Sequence, residues 1–297
     1  MKNLLFALFF LMCSVVSLHA DFHPNAEDTW PLVARSQVIV IGTLDVPVER
    51  IREFQSSGKH DYLNLTVKTD QVMKGNVARE FNVSWFTKPR SDSPDPEQVI
   101  GLNGKNVMLF LSVSHEDRKE TLYFAADSTK AVTEYSEKLQ QRVLSEIALQ
   151  RKVLAARDQA VAVPNPAIFQ KVKKLIDATT RKESQKDAFK QLEALGWDGV
   201  PSIIMLMDDD RDLAIKHIEL DNHAADAFEG IRQYGPSKVV DAMAAILNQI
   251  TAENFGFIYN GDDTEQDRHD CADGWMMYLY HWEKESAKLP VKREENW

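Results

Sequence analysis

Between Ser36 and Ala126 the apolar positions come in short runs rich in β-branched and aromatic residues, separated by polar, Gly-containing breaks. That pattern predicts strands rather than helices. Five runs carry it: QVIVIGTLDV after Arg35, DYLNLTVKTDQVM, EFNVSWF, KNVMLFLSV and ETLYFAA. In the second, Tyr62, Asn64, Thr66, Lys68 and Asp70 fall on one face while Leu63, Leu65, Val67 and Thr69 fall on the other. One side of that strand is wet and the other dry. Five antiparallel strands with a long connection at KPRSDSPDPEQVIGLNG suit a small closed barrel better than an open sheet.

After Asp127 the period changes. Leu139, Val143, Ile147 and Leu154 recur at helical spacing and predict one long helix over Thr133–Arg157, connecting the two halves. PNP at Pro164–Pro166 ends it and opens the next helix, with Asn165 as cap and Pro166 at the first helical position, where its missing N–H costs nothing. Thr180 and Glu183 read as a capping box, and Ala188, Phe189, Leu192 and Leu195 as a buried stripe. Gly196 reads as the positive-φ residue that stops this helix. A short helix at VPSIIMLMDD follows, then ADAFEGIRQYG paired with PSKVVDAMAAILNQIT. The last is CADGWMMYLYHW, with Trp275, Tyr278, Leu279 and Trp282 on one stripe. Such helices are too apolar to stand alone and predict a stacked-helix domain.

The first twenty residues, MKNLLFALFFLMCSVVSLHA, read as a signal peptide: Lys2, an apolar run from Leu4 to Val16, and a small residue at Ala20. The working chain is then expected from Asp21 on, secreted and most naturally periplasmic. The run is too short for a membrane span and no later stretch is apolar enough, so no membrane insertion is expected. The formal net charge is −10, and Leu195–Trp297 alone holds 21 acidic against 9 basic residues. That balance argues against nucleic acid and anionic membranes as partners. Losing Cys13 with the leader leaves Cys271 alone, so no internal disulfide is expected.

Two resemblances sharpen the fold class. ARSQVIVIGTLDV, LTVKTDQVMKG and GKNVMLFLSV resemble bacterial secreted barrels of the netrin and tissue-inhibitor-of-metalloproteinase type. LEALGWDGVPSIIMLMDD resembles a HEAT repeat, and LNQITAENFG with GWMMYLYHW is similar to the closing segment of bacterial HEAT-like proteins, though Ala252 stands where Gly is usual and FIYNGDDTEQDRHDCAD is inserted. The expectation is an α+β chain: signal peptide 1–20, a five-stranded OB-like antiparallel barrel over 21–130, a connecting helix over 131–163, and an all-α HEAT-like domain over 164–297. The repeat resemblance implies binding rather than catalysis. The inhibitors act through an N-terminal cysteine, which a chain starting at Asp21 lacks, so extracellular peptidase inhibition rests on the barrel alone.

Candidate chemistry is sparse. The inserted stretch collects Asn260, Asp262, Asp263, Glu265, Asp267, His269, Asp270, Cys271 and Asp273. Asp262, Asp263 and Asp267 are candidate calcium oxygens, without the EF-hand spacing. A zinc site on His269 and Cys271 needs further ligands, with His217, His223 and His281 as the choices. Asp270 reads as a helix cap that puts Cys271 in the first turn, where the dipole favours thiolate. Cys271 with His269 or His281 as base is therefore the hydrolase alternative, thiol-dependent or metal-dependent, although the nearby carboxylates oppose thiolate formation. The run DDDRD at Asp208–Asp212 reads as an inter-helix turn, whose Asp208, Asp209 and Arg211 are candidates for partner contact. Aromatics at Tyr62, Trp85, Phe86 and Tyr123 are candidates for stacking a ligand. The leading expectation is a protein-binding adaptor or scaffold with no cofactor, no catalytic activity and a protein partner.

Overall fold

The computed structural model describes residues 22–24, 28–87, 94–114, 122–126, 129–161, 164–222 and 230–286. The predicted signal peptide and His223 lie outside them. All five predicted strands form: β1 (Val38–Asp45), β2 (Tyr62–Lys74), β3 (Glu80–Phe86), β4 (Asn106–Ser114) and β5 (Leu122–Ala125). Hydrogen bonding runs β1-β2-β3-β5-β4 and returns from β4 to β1, closing a barrel. The expected all-antiparallel pairing is corrected at one seam, where β3 and β5 run parallel, Val83 opposite Tyr123. A ring of five cannot alternate direction all the way round, so one neighbouring pair must be parallel. A short sixth strand, β6 (Val132–Glu134), extends the β4 edge beyond β5.

Three short helices escaped the strand-by-strand reading: α1 (Trp30–Arg35), α2 (Val48–Ser57) and α3 (Pro96–Gly101). The third lies within the long connection, capped by the Asp95 carboxylate, which accepts from Glu97 N. Inside the barrel, Val40, Leu44, Leu65, Val83, Leu109 and Leu111 are buried together. The alternation in β2 holds, with Leu63, Leu65 and Val67 inward. β1 and β4 read instead as unbroken apolar runs because both their faces are covered. Ile39, Ile41, Met108 and Phe110 point outward into a second cluster with Val143 and Ile147 of the long helix α4 (Glu137–Ala155). That helix starts four residues later than expected, since Thr133 belongs to β6.

Beyond α4 come a single turn, α5 (Arg157–Ala160), then α6 (Pro166–Thr179) and α7 (Gln185–Glu193). Asn165 caps α6 as expected, its side chain accepting from Ala167 N and Ile168 N. The Thr180–Glu183 capping box does not form: Thr180 terminates α6, its hydroxyl donating to the Asp177 carbonyl, and α7 begins only after Ser184. Gly196 takes φ +52°, and a 3-10 turn at Gly196–Gly199 leads into α8 (Val200–Ile204). The IRQY part of ADAFEGIRQYG is not helical: β7 (Ile218–Asp221) and β8 (Ile231–Tyr234) form an antiparallel hairpin. Its period-2 burial, Ile218 and Leu220 inward, was hidden in a segment too short to show a period.

Two helices make the centre of this half: α9 (Val239–Thr251), buried on nearly every side, and α10 (Glu265–Ser286). Trp275, Tyr278, Leu279 and Trp282 are all buried along α10, the predicted stripe. The chain before the barrel packs here, not on the barrel core. Trp30 stacks on His281 at 4.4 Å and faces Phe255 at 6.1 Å, and the Tyr278 hydroxyl donates to the Phe22 carbonyl at 2.6 Å. With α4 lying on the barrel's outer cluster, α1 and α4 tie the halves together and leave a cleft beside them.

Candidate functional site

The cleft has a volume of about 970 Å³, with one wall from the barrel and one from α10 and the segment before it. Its barrel wall carries a ring group in which Tyr62 lies 4.9 Å from Phe86 and 6.2 Å from Phe124. Tyr62 is 57% exposed. From the helical half Phe257 lines the same cleft, 61% exposed and edge-on against Tyr259 at 6.0 Å. Both rings keep large apolar surface uncovered, the informative kind of exposure because both line one cavity.

Along α10, Asp267, Asp270, Asp273 with Gly274, and Met277 line the cleft. Those spacings of three to four residues place them on one helical face. Asp262 and Asp263 extend the acidic wall into the loop before the helix. That loop is fixed by a buried ion pair behind it. Asp241, in the first turn of α9 and fully buried, accepts from Ser237 N, the Ser237 hydroxyl, Lys238 N and the Arg268 guanidinium, the last at 2.7 Å. Arg268 in turn donates to the Asp263 carbonyl at 2.5 Å. Gly261, at φ +78°, completes the turn, where an added Cβ would fall 2.6 Å from Ser237 N. The Asp263 carboxylate Oδ2 is left buried without a hydrogen-bond partner. Burial, together with Asp262, Asp267 and Asp241, pushes this carboxyl up to about 6.

Three cations line the cleft too, Arg151 exposed and Lys74 and Arg35 engaged. Lys74 donates to the Val33 carbonyl at 2.8 Å, and burial lowers its pKa against the pull of Asp270 and Asp273. Arg35 lies over the Phe255 ring, donates to the Asn254 carbonyl and pairs with Glu253. Gln37 bridges the halves, its amide donating to Asp267 at 2.9 Å while its carbonyl accepts from Val113 N.

The hydrolase candidates Cys271, His269 and His281 have separate partners. Asp270 does not start the helix: Thr264 and Asp267 form the cap six residues earlier, Asp267 N donating to the Thr264 hydroxyl and Thr264 N to the Asp267 carboxylate. Cys271 therefore lies in the second turn of α10, fully buried, where the helix dipole has faded. Burial first, then Asp241 and Asp263, drive its thiol far above the ordinary range. His269 is exposed and faces Asp273 at 3.6 Å, and His281 is stacked on Trp30 with Nε2 3.4 Å from Glu146. Asp273 is itself raised, by burial above all. Among the described residues no group of three or more His, Cys, Asp or Glu side chains is arranged to hold a metal ion, Asp262, Asp263 and Asp267 included.

The DDDRD turn is committed to structure. Asp208 pairs with Arg157 at 2.9 Å, and Arg211 is shared between Asp209 and Asp177. Burial pushes Asp209 up, but the Arg211 hydrogen bonds outweigh it and hold the carboxyl below the usual range. The start of α9 is capped by the carbonyls of this turn, Val239 N donating to Arg211 O and Val240 N to Asp209 O. Of the candidate stacking aromatics, Tyr62 and Phe86 line the cleft. Trp85 borders it while its side chain packs in the barrel interior, and Tyr123 packs on Phe81 at 4.9 Å. Phe257, Phe124, Lys74 and the α10 aspartate face were missed. The three-residue spacing of Asp267, Asp270 and Asp273 is legible once the stretch is read as helix rather than loop. No protein-family model matches this chain, and neither a curated protein nor a solved structure matches it.

Proposed function

We propose that this is a secreted, periplasmic, non-catalytic binding protein, an adaptor whose cleft receives a segment of a protein partner. Secretion rests on the leader-like run at residues 1–20. The barrel is read as an OB-like module, supported by its strand order, its parallel β3–β5 seam and the helix α3 set between β3 and β4. The helical half is read as a degenerate HEAT-like array, supported by the packed α6–α7 pair and the apolar α8–α9 pair, with the β7–β8 hairpin as its departure. The observation that carries binding is the pair of exposed rings, Tyr62 from the barrel and Phe257 from the helical half, lining one cavity. The burial of Cys271 and the separate engagement of both histidines weigh against the hydrolase alternative.

The test places a photo-reactive phenylalanine analogue at Tyr62, at Phe257 and, as control, at Ile215, which is exposed and outside the cleft. The full chain is expressed with its leader in its own host and irradiated. The same cross-linked species from both cleft positions and none from Ile215 is the expected outcome. No species from either cleft position, or equal labelling from Ile215, overturns the reading.

A further inference from the structure

We propose that the cleft is selective for an extended segment in which a lysine or arginine is flanked by aromatic or large aliphatic residues, its cation seated against Asp262 and Asp263. This deepens the binding reading above and rests on it. Charge complementarity decides the sign. Five aspartates line the cleft against Arg35, Lys74 and Arg151. Lys74 is occupied by the Val33 carbonyl beside Asp270 and Asp273, and Arg35 by Glu253 and Asn254. Asp267 already accepts from Gln37 and Thr264. Asp262 is exposed in the cleft, and beside it the Asp263 carboxylate has one oxygen buried with no donor, so the pair carries negative charge that no cation of the described residues neutralises by direct contact. A ligand ammonium or guanidinium hydrogen-bonded to the exposed Asp262 carboxylate supplies the missing positive charge to both aspartates.

The rest of the ligand is set by the rings. Tyr62 with Phe86 and Phe124 from the barrel and Phe257 from the helical half offer apolar surface in the same cavity as the acid pair. A bare amine would leave that surface wet, whereas a peptide with apolar neighbours around its cation covers it. The cavity, at about 970 Å³, has room for several side chains.

The acid pair also makes binding depend on pH. Asp263 is faced by Asp262 on its own loop, by Asp267 and Arg268 from α10 and by Asp241 from α9, with Lys74 of β2, Arg35 of α1, Arg151 of α4 and Asp270 and Asp273 of α10 lining the same cleft. Its carboxyl titrates at about 6, so it is charged at pH 7.5 and about nine-tenths protonated at pH 5. If the ionised form alone accepts the cation, affinity falls about tenfold between those values.

The experiment uses the purified protein and fluorescent hexapeptides with blocked termini, containing Phe and Leu around a central Lys, Arg, norleucine or Glu, with spermidine as the apolar-free cation. Lys and Arg peptides are expected to bind at least tenfold more tightly than the norleucine, Glu and spermidine probes at pH 7.5. Asp262→Asn with Asp263→Asn is expected to abolish that preference at unchanged thermal stability or above it. Asp263→Asn alone is expected to remove the pH dependence. Equal binding of the norleucine peptide, tighter binding of spermidine, or an unchanged preference in the double variant overturns the inference. Cleft cross-links to a partner segment without lysine or arginine overturn it too, while leaving the binding reading intact. Absence of any cleft cross-link sinks the binding reading itself.

Discussion

Arg268→Met tests whether the buried pair behind the cleft holds the helical half together. The substitution keeps an unbranched side chain but leaves the Asp241 carboxylate, with no side-chain exposure, without its guanidinium. The pair is lost along with contacts from Arg268 to the Asp263 and Gly261 carbonyls. Breaking a buried ion pair from one side costs about 3–5 kcal/mol. Here Ser237 N, the Ser237 hydroxyl and Lys238 N still donate to Asp241, so the lower end, about 3 kcal/mol, is expected. In a unit of this size that lowers Tm by roughly 6–12 °C. Urea unfolding followed by tryptophan fluorescence reads the loss directly, since Trp30, Trp197, Trp275 and Trp282 all report on this half. The double variant Asp241→Asn with Arg268→Met removes both charges and is expected to cost less than the sum of the singles by about 1.5–3 kcal/mol. A loss below about 1 kcal/mol for Arg268→Met, or a coupling near zero, refutes the reasoning.

Other consequences are as direct. Asp263→Asn removes a carboxyl whose folded pKa, about 6, lies above its ordinary value. The stability from the bound proton is complete below about pH 4 and lost as pH rises through about 6, so the variant is expected to gain about 1 kcal/mol at pH 7 after solvent screening and to flatten the curve across that window. Unchanged pH dependence of the urea midpoint would remove this account. Ala252 ends α9 at φ 59° with a side chain that disfavours that region. Ala252→Gly is therefore expected to stabilise by about 0.5–1 kcal/mol, the relieved strain exceeding the added freedom of the unfolded chain. A lowered urea midpoint contradicts it. Cys271 is expected to resist iodoacetamide in the folded protein and to react on denaturation, while rapid pH-dependent alkylation of the folded form would restore the thiol-hydrolase alternative.

Local pattern carried much of this architecture. The alternation of Leu63, Leu65 and Val67, the helical stripe from Trp275 to Trp282 and the Asn165–Pro166 cap are each written in a few adjacent residues, because strand and helix periods are properties of the backbone itself. The positive φ of Gly196 is equally local, although α7 already ends at Glu193 and Gly196 opens the 3-10 turn that follows. Other features depended on partners distant in sequence. The unbroken apolar runs of β1 and β4 make sense only once α4 covers Ile39, Ile41, Met108 and Phe110 from outside. Asp270 looked like a cap because its neighbours fit one, but the Thr264–Asp267 pair captures that role and moves Cys271 into the core. The five barrel strands, the longer helices and the acidic surplus were legible along the chain because they are short-range or additive quantities. The fold in three dimensions set the rest: Trp30 packs on α10, Arg268 is spent on Asp241, and Tyr62 and Phe257, far apart in the chain, line one acidic cleft. Those juxtapositions arise from packing between distant segments, and no local period encodes them.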